Sequence, residues 1–139
     1  MEGSSPKRRV SSTLTRDALL RRPRLIMVVY KIVASEEWAE AEAVGVFKGA
    51  RADRSDGFIH FSTAGQAPET AAKWFAGRSD LTLAAVDATA LGRDLRWEPS
   101  RGGALFPHLY AALPMSAVLW SRPLPLGPDG VHDFGSLEA

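Results

Sequence analysis

The apolar residues of this chain are gathered into short runs, and two of them leave little choice of fold. "MVVYKIV" at 27–33 has the β-branched composition of a strand. "DLTLAAVDA" at 80–88 is apolar at consecutive positions, the pattern of a buried strand. No run approaches the roughly 18 to 20 apolar residues needed to cross a bilayer. The core is therefore expected to be built on sheet, with helices where the spacing changes.

The intervening segments supply those helices. Ser35 is expected to cap a short helix, "EEWAEAEAV", with Glu36 and Glu37 in the first turn, Gly45 as the stop and Trp38 as a core anchor. "FKGARADRSDG" at 47–57 mixes glycine, aspartate and basic residues and reads as loop. "FIHFS" is expected to be the second strand. After it, Thr63 and Gln66 form a capping-box pattern before a helix carrying Ala71, Ala72, Trp74 and Phe75, with Pro68 in its first turn. "LGRDLRWEPS" turns into a fourth strand. Pro107 and Pro114 keep "ALFPHLYAALP" extended. "SAVLWSRPLPL" is a late strand and "GPDGVHDFGSLEA" a loose tail. Strands and helices interleave without a βαβ repeat. The expected class is α+β: one domain with a bent or split antiparallel or mixed β-sheet and two packed helices.

Charge divides the chain at Met27. Residues 1–26 hold seven basic and two acidic groups, net +5, whereas the remainder holds ten basic and fourteen acidic, net −4. The expectation is a basic flexible N-terminal extension over 1–26, whether an upstream extension, a solvated tail or a targeting segment, followed by a domain at 27–139. An acidic domain disfavours nucleic acid as a general partner. With 139 residues, 45% of them hydrophobic, the chain can bury one core. It has no cysteine, which excludes disulfides, thiolate metal sites and a cysteine nucleophile. Three arginines interrupt "ALLRRPRLIMVVY" and spoil it as a Sec-like signal. The expected location is cytoplasmic.

Three stretches carry polar groups where a strand core would take apolar ones: "DGFIHFSTA", "LRWEPSRGG" and "LFPHLY". G-x-S-x-G, the phosphate loop and H-x-x-x-H are all absent from the sequence, and no metal site is expected. Alternation in the first stretch puts Phe58, His60 and Ser62 on one face and Ile59, Phe61 and Thr63 on the other. His60 is then either a core-edge imidazole satisfied by a carbonyl or the floor of a pocket that bonds a ligand. The helix N-terminus after Ser62 and Thr63 is a place for an anion. In the second stretch Arg96 and Glu98 share a face, either as an ion pair or with Glu98 turned to a ligand that Ser100 and Arg101 also reach from a glycine-loosened loop. His108 and Tyr110 share a face in the third, either as a binding pair or as an exposed histidine beside a structural tyrosine.

Taken in order, "VYKIV", "EW", "DGFIHFSTA", "LRWEPSRGG", "LFPHLY" and "LPLGPDGVHDF" resemble the small bacterial domain of unknown function DUF952. The resemblance runs from about Met27 to Phe134. "GVFKGARADRSDGFIHFST" is more distantly similar to a segment of RNA 2′-phosphotransferases, which have the ADP-ribosyltransferase fold and bind NAD. That second resemblance implies a small-molecule, nucleotide-like ligand with NAD as the candidate cofactor, or an NAD-dependent ADP-ribosyl or glycosyl transferase. It implies catalytic roles for Glu98 and His60 and puts Lys31 at the first-strand ligand position. The residues expected to bind ligand are Lys31, Ser62, Thr63, Arg96, Ser100, Arg101, His108 and Tyr110. In a transferase, Glu98 would stabilise an oxocarbenium-like ribose while His60 holds its hydroxyls.

Overall fold

The structure, a computed structural model, describes residues 26–137. The basic extension expected at 1–26 lies outside the described residues except for Ile26, as does the side chain of Arg101. The two apolar runs become β1 (Val28–Ala34) and β4 (Leu81–Asp87), antiparallel, paired from Val28↔Asp87 to Ala34↔Leu81. β8 (Val118–Pro123) pairs with the other edge of β4, which makes β4 the centre of a three-stranded sheet.

Both faces of this sheet are covered, which is why apolar residues fall on both faces of the two strands. On one face Val29, Val33, Ala84 and Val86 pack with Trp38, Phe47, Ile59, Phe61 and Leu109. On the other, Tyr30, Ile32, Leu83 and Ala85 pack with Ala71, Leu124, Phe75 and Trp120.

A second antiparallel sheet has the order β3 (Ile59–His60), β6 (Leu105–Leu109), β5 (Leu95–Pro99), and a two-stranded ladder joins β2 (Val46–Phe47) to β7 (Leu113–Pro114). The three-stranded sheets meet where Tyr30 N–H donates to the Ser62 carbonyl at 2.7 Å and Ser62 N–H returns the bond at 2.9 Å. The result is an α+β domain with open antiparallel sheets. All described strand pairs are antiparallel, so the mixed alternative does not arise.

Three α-helices are described where two were expected: α1 (Ser35–Val44), α2 (Arg51–Asp56) and α3 (Ala67–Trp74). The additional one, α2, falls in the stretch read as loop. Its N-terminus is held by the Asp53 carboxylate, which accepts the Ala50 N–H at 2.8 Å, and Gly57 closes it at φ 89°. Ser35 is the first residue of α1 and not its cap; Ala34 is the cap, and the Ser35 hydroxyl bonds Thr82 Oγ1 at 2.7 Å. Gly45 does end α1, with φ 98°, and Trp38 is buried against Phe47. The tail is not loose: Leu126 pairs with His132, whose buried ring meets the Arg78 carbonyl at 2.8 Å. No described helix is long and apolar enough to cross a membrane.

Candidate functional site

The site is assembled by the register of the second sheet. His60 lies opposite His108 on β6, and His108 lies opposite Arg96 on β5; Phe106 lies opposite Glu98. His60, His108, Arg96 and Glu98 therefore share one face, since partners across a ladder point the same way. Phe58 sits among the rings, stacked on His108 at 4.2 Å, with His60 at 4.6 Å and Tyr110 at 5.2 Å; the two imidazoles are 5.6 Å apart, edge to face.

Each imidazole is bound by a carboxylate. His60 Nδ1 meets Asp53 Oδ1 at 2.7 Å, and its Nε2 meets Asp56 Oδ2 at 2.9 Å. His108 Nδ1 meets Glu98 Oε1 at 2.8 Å, and the Tyr110 hydroxyl donates to that same oxygen at 2.8 Å. These two donors, His108 first, hold the Glu98 carboxyl below its ordinary range, and the carboxylate in turn holds the Tyr110 phenol above its own.

Asp53 does more than bind a histidine. It is buried, it receives the Lys31 ammonium at 2.9 Å on each oxygen, and it accepts the His60 N–H at 3.1 Å as well as the Ala50 N–H. Burial alone would raise its carboxyl, but the His60 ring, the Lys31 charge and the Ala50 N–H outweigh burial and hold it well below the usual carboxylate range. Lys31, enclosed beside it, is pushed down by burial against the opposing pull of Asp53. The Lys31 ammonium also donates to the His60 carbonyl at 2.9 Å.

A cavity of about 560 Å³ opens beside this arrangement, bordered by Lys31, Asp53, Asp56, His60, Ser62, Ser100 and His108 and by the aromatic residues Phe61, Trp74, Phe75 and Phe106. Its size lies within the range of small-molecule sites. Arg51 and Arg78 also border it, with Arg78 held to Asp80 at 2.8 Å. Among the described residues no three His, Asp or Glu side chains converge as a metal cluster would require.

The sequence-derived residues separate into three groups. Lys31, His60, Ser62, Ser100 and His108 border the cavity, although the Lys31 ammonium is committed to protein acceptors and the Ser62 hydroxyl bonds Thr70 Oγ1 at 3.0 Å. Glu98, Arg96 and Tyr110 stand beside it on the same sheet: Glu98 reaches it through His108, and the Arg96 guanidinium lies 4.4 Å from the centre of the Tyr110 ring. Thr63 does not border it; it and Gln66 bond each other at 3.0 and 3.2 Å in the turn before α3, whose N-cap, Gln66, makes no side-chain cap bond.

Sequence reasoning missed Asp53 and Asp56. Their signal was an acidic pair upstream of a strand histidine, Asp56 four residues before His60, in a stretch whose glycines and mixed charges read as loop.

The profile of the DUF952 family, described as a protein of unknown function, matches residues 32–121. The crystal structure of protein CC0527 from Caulobacter crescentus is similar, with 53% sequence identity, a TM-score of 0.73, and coverage of 76% of this chain and 93% of that one. The solution NMR structure of CC0527 gives 54% identity, 75% and 90% coverage and a TM-score of 0.69. No curated protein matches the chain.

Proposed function

The chain belongs to the DUF952 family, proteins of unknown function, and on that premise we propose that its cleft binds a small nucleotide-like ligand, with NAD as the first candidate. One observation carries this reading: a single cavity of about 560 Å³ is bordered at once by two histidines, by two serines and by several aromatic residues. Aromatic walls suit a planar base, and imidazoles and carboxylates suit ribose hydroxyls. His60, Ser62, Ser100 and His108 are its polar contacts in this reading. Lys31 acts through Asp53, while Arg96 and Tyr110 support the rim. The protein and its ligand are taken to be cytoplasmic.

The second reading is an NAD-dependent ADP-ribosyl or glycosyl transferase, favoured by the ionised Glu98 carboxylate on the same sheet face as His60. Glu98 and His60 are then catalytic, Glu98 supplying negative charge toward an oxocarbenium-like ribose.

Calorimetric titration with NAD, ADP-ribose and nicotinamide, beside thermal unfolding, tests both readings. Binding should raise the unfolding temperature by mass action. His60→Ala should weaken binding by about 1 to 3 kcal/mol, the cost of a buried hydrogen bond left unmade. Glu98→Gln should bind NAD as the parent does and, in the transferase reading, abolish nicotinamide release. No heat and no thermal shift with any of these probes would refute the nucleotide reading.

A further inference from the structure

The chain has three histidines, and each ring has a different set of partners. His132 Nε2 meets the Arg78 carbonyl. His60 meets a carboxylate at each nitrogen. His108 is bound at Nδ1, by Glu98, and among the described residues nothing bonds its Nε2, although the ring is buried and borders the cavity. Nor is that nitrogen sealed: among the described residues the Trp38 indole nitrogen is the polar side-chain atom that is both occluded and unbonded.

The bond at Nδ1 decides what Nε2 can do. An ionised carboxylate only accepts, so the proton of the neutral ring lies on Nδ1 and the lone pair on Nε2. The Tyr110 hydroxyl fixes the carboxylate, and Phe58, stacked 4.2 Å from the ring at an interplanar angle of 28°, limits its rotation. An oriented carboxylate, an imidazole and an open position beside its far nitrogen are the parts with which a hydroxyl is deprotonated.

We propose that His108 is a general base of this cleft, held in its Nδ1–H form by Glu98 as a positioning residue, and that it acts on a hydroxyl of the bound ligand. The proposal rests on the reading of the cleft as a ligand site. In the step, the ligand O–H bond breaks, the proton forms an N–H bond at Nε2, and the electron pair stays on the ligand oxygen. The Glu98 carboxylate balances the positive charge that the ring gains. The ligand class is a ribose-bearing or other polyol compound.

Long-range proton–nitrogen correlation spectra of the imidazole rings, recorded on the full chain at mildly alkaline pH, test this. His108 should show a protonated Nδ1 and a bare Nε2. Glu98→Gln replaces a charged acceptor by an amide that can also donate, and should lower the ratio of Nδ1–H to Nε2–H about tenfold or more. The His132 pattern and the unfolding temperature should stay where they are. NAD, as the probe, should move the Nε2 resonance of His108. A parent His108 protonated at Nε2, or a ratio indifferent to Glu98→Gln, overturns the proposal whatever NAD does. A bare Nε2 that responds to Glu98→Gln and not to NAD supports the base and overturns NAD as its ligand.

Discussion

The two carboxylate–imidazole pairs of the cleft use the same groups with their burial reversed. In the first, the Asp53 side chain is 3% exposed and the His60 side chain 37%. In the second, Glu98 is 34% exposed and His108 6%. A buried carboxylate must be satisfied completely, and Asp53 meets a lysine, a ring nitrogen and two backbone N–H groups. A partly exposed one is free of that demand, and Glu98 serves the ring it holds. The first pair therefore fixes the fold around the cleft, and the second fixes the orientation of a ring within it.

Removing the buried carboxylate should produce the largest effect. Asp53→Ala leaves the Lys31 ammonium enclosed without its counter-charge and should cost roughly 3 to 5 kcal/mol in denaturant unfolding. A loss under about 1 kcal/mol, the usual worth of an exposed ion pair, would erase the distinction between the pairs.

Acid should sharpen the same contrast. The folded Asp53 carboxyl titrates below its unfolded value of about 3.9, so the unfolded chain takes up its proton first as pH falls. Its contribution is fully present above that unfolded value and is lost as pH drops toward the folded one. The stability gap between the parent and Asp53→Asn should be flat near neutrality and narrow below about pH 4. A gap that widens in acid would refute the assignment.

A smaller effect is expected from pairing substitutions. Lys31→Met with Asp53→Asn should destabilise less than the sum of the two single changes, by about 1 to 3 kcal/mol of coupling energy in a double-mutant cycle. Strict additivity would mean the ion pair is not the unit that holds α2 to β1. Phe58→Leu keeps apolar bulk while losing the stacked ring, and should cost about 0.5 to 1.5 kcal/mol. The smallest effect on stability belongs to Glu98→Gln, which should leave the unfolding temperature essentially unmoved. A large drop there would make Glu98 structural, like Asp53.

Parts of this site were legible in sequence because they depend on local periodicity. The alternation of "FIHFS" is visible as Ile59 and Phe61 in the core and Phe58 and His60 in the ring cluster with His108 and Tyr110. The consecutive apolar residues of β4 announced a strand covered on both sides. Other parts were not. Helix α2 has six residues and no apolar face, and what holds it is the bond from Lys31, 22 positions away, to Asp53. Arg96 and Glu98 were read as sharing a face, but sequence could not say whether Glu98 would meet the arginine or a histidine on the next strand.

What the sequence by itself determined is the repertoire: a sheet-based α+β core, three histidines, the carboxylates available to them, and the alternation that sets Phe58 and His60 on the opposite face from Ile59 and Phe61. Tertiary structure decided which carboxylate binds which ring and which member of each pair is buried. Strand alternation is a property of the local backbone, whereas a hydrogen bond across β3, β6 and β5 depends on register between segments distant in the chain. Burial of Asp53 or exposure of Glu98 depends on what packs over them, which no short stretch of sequence contains.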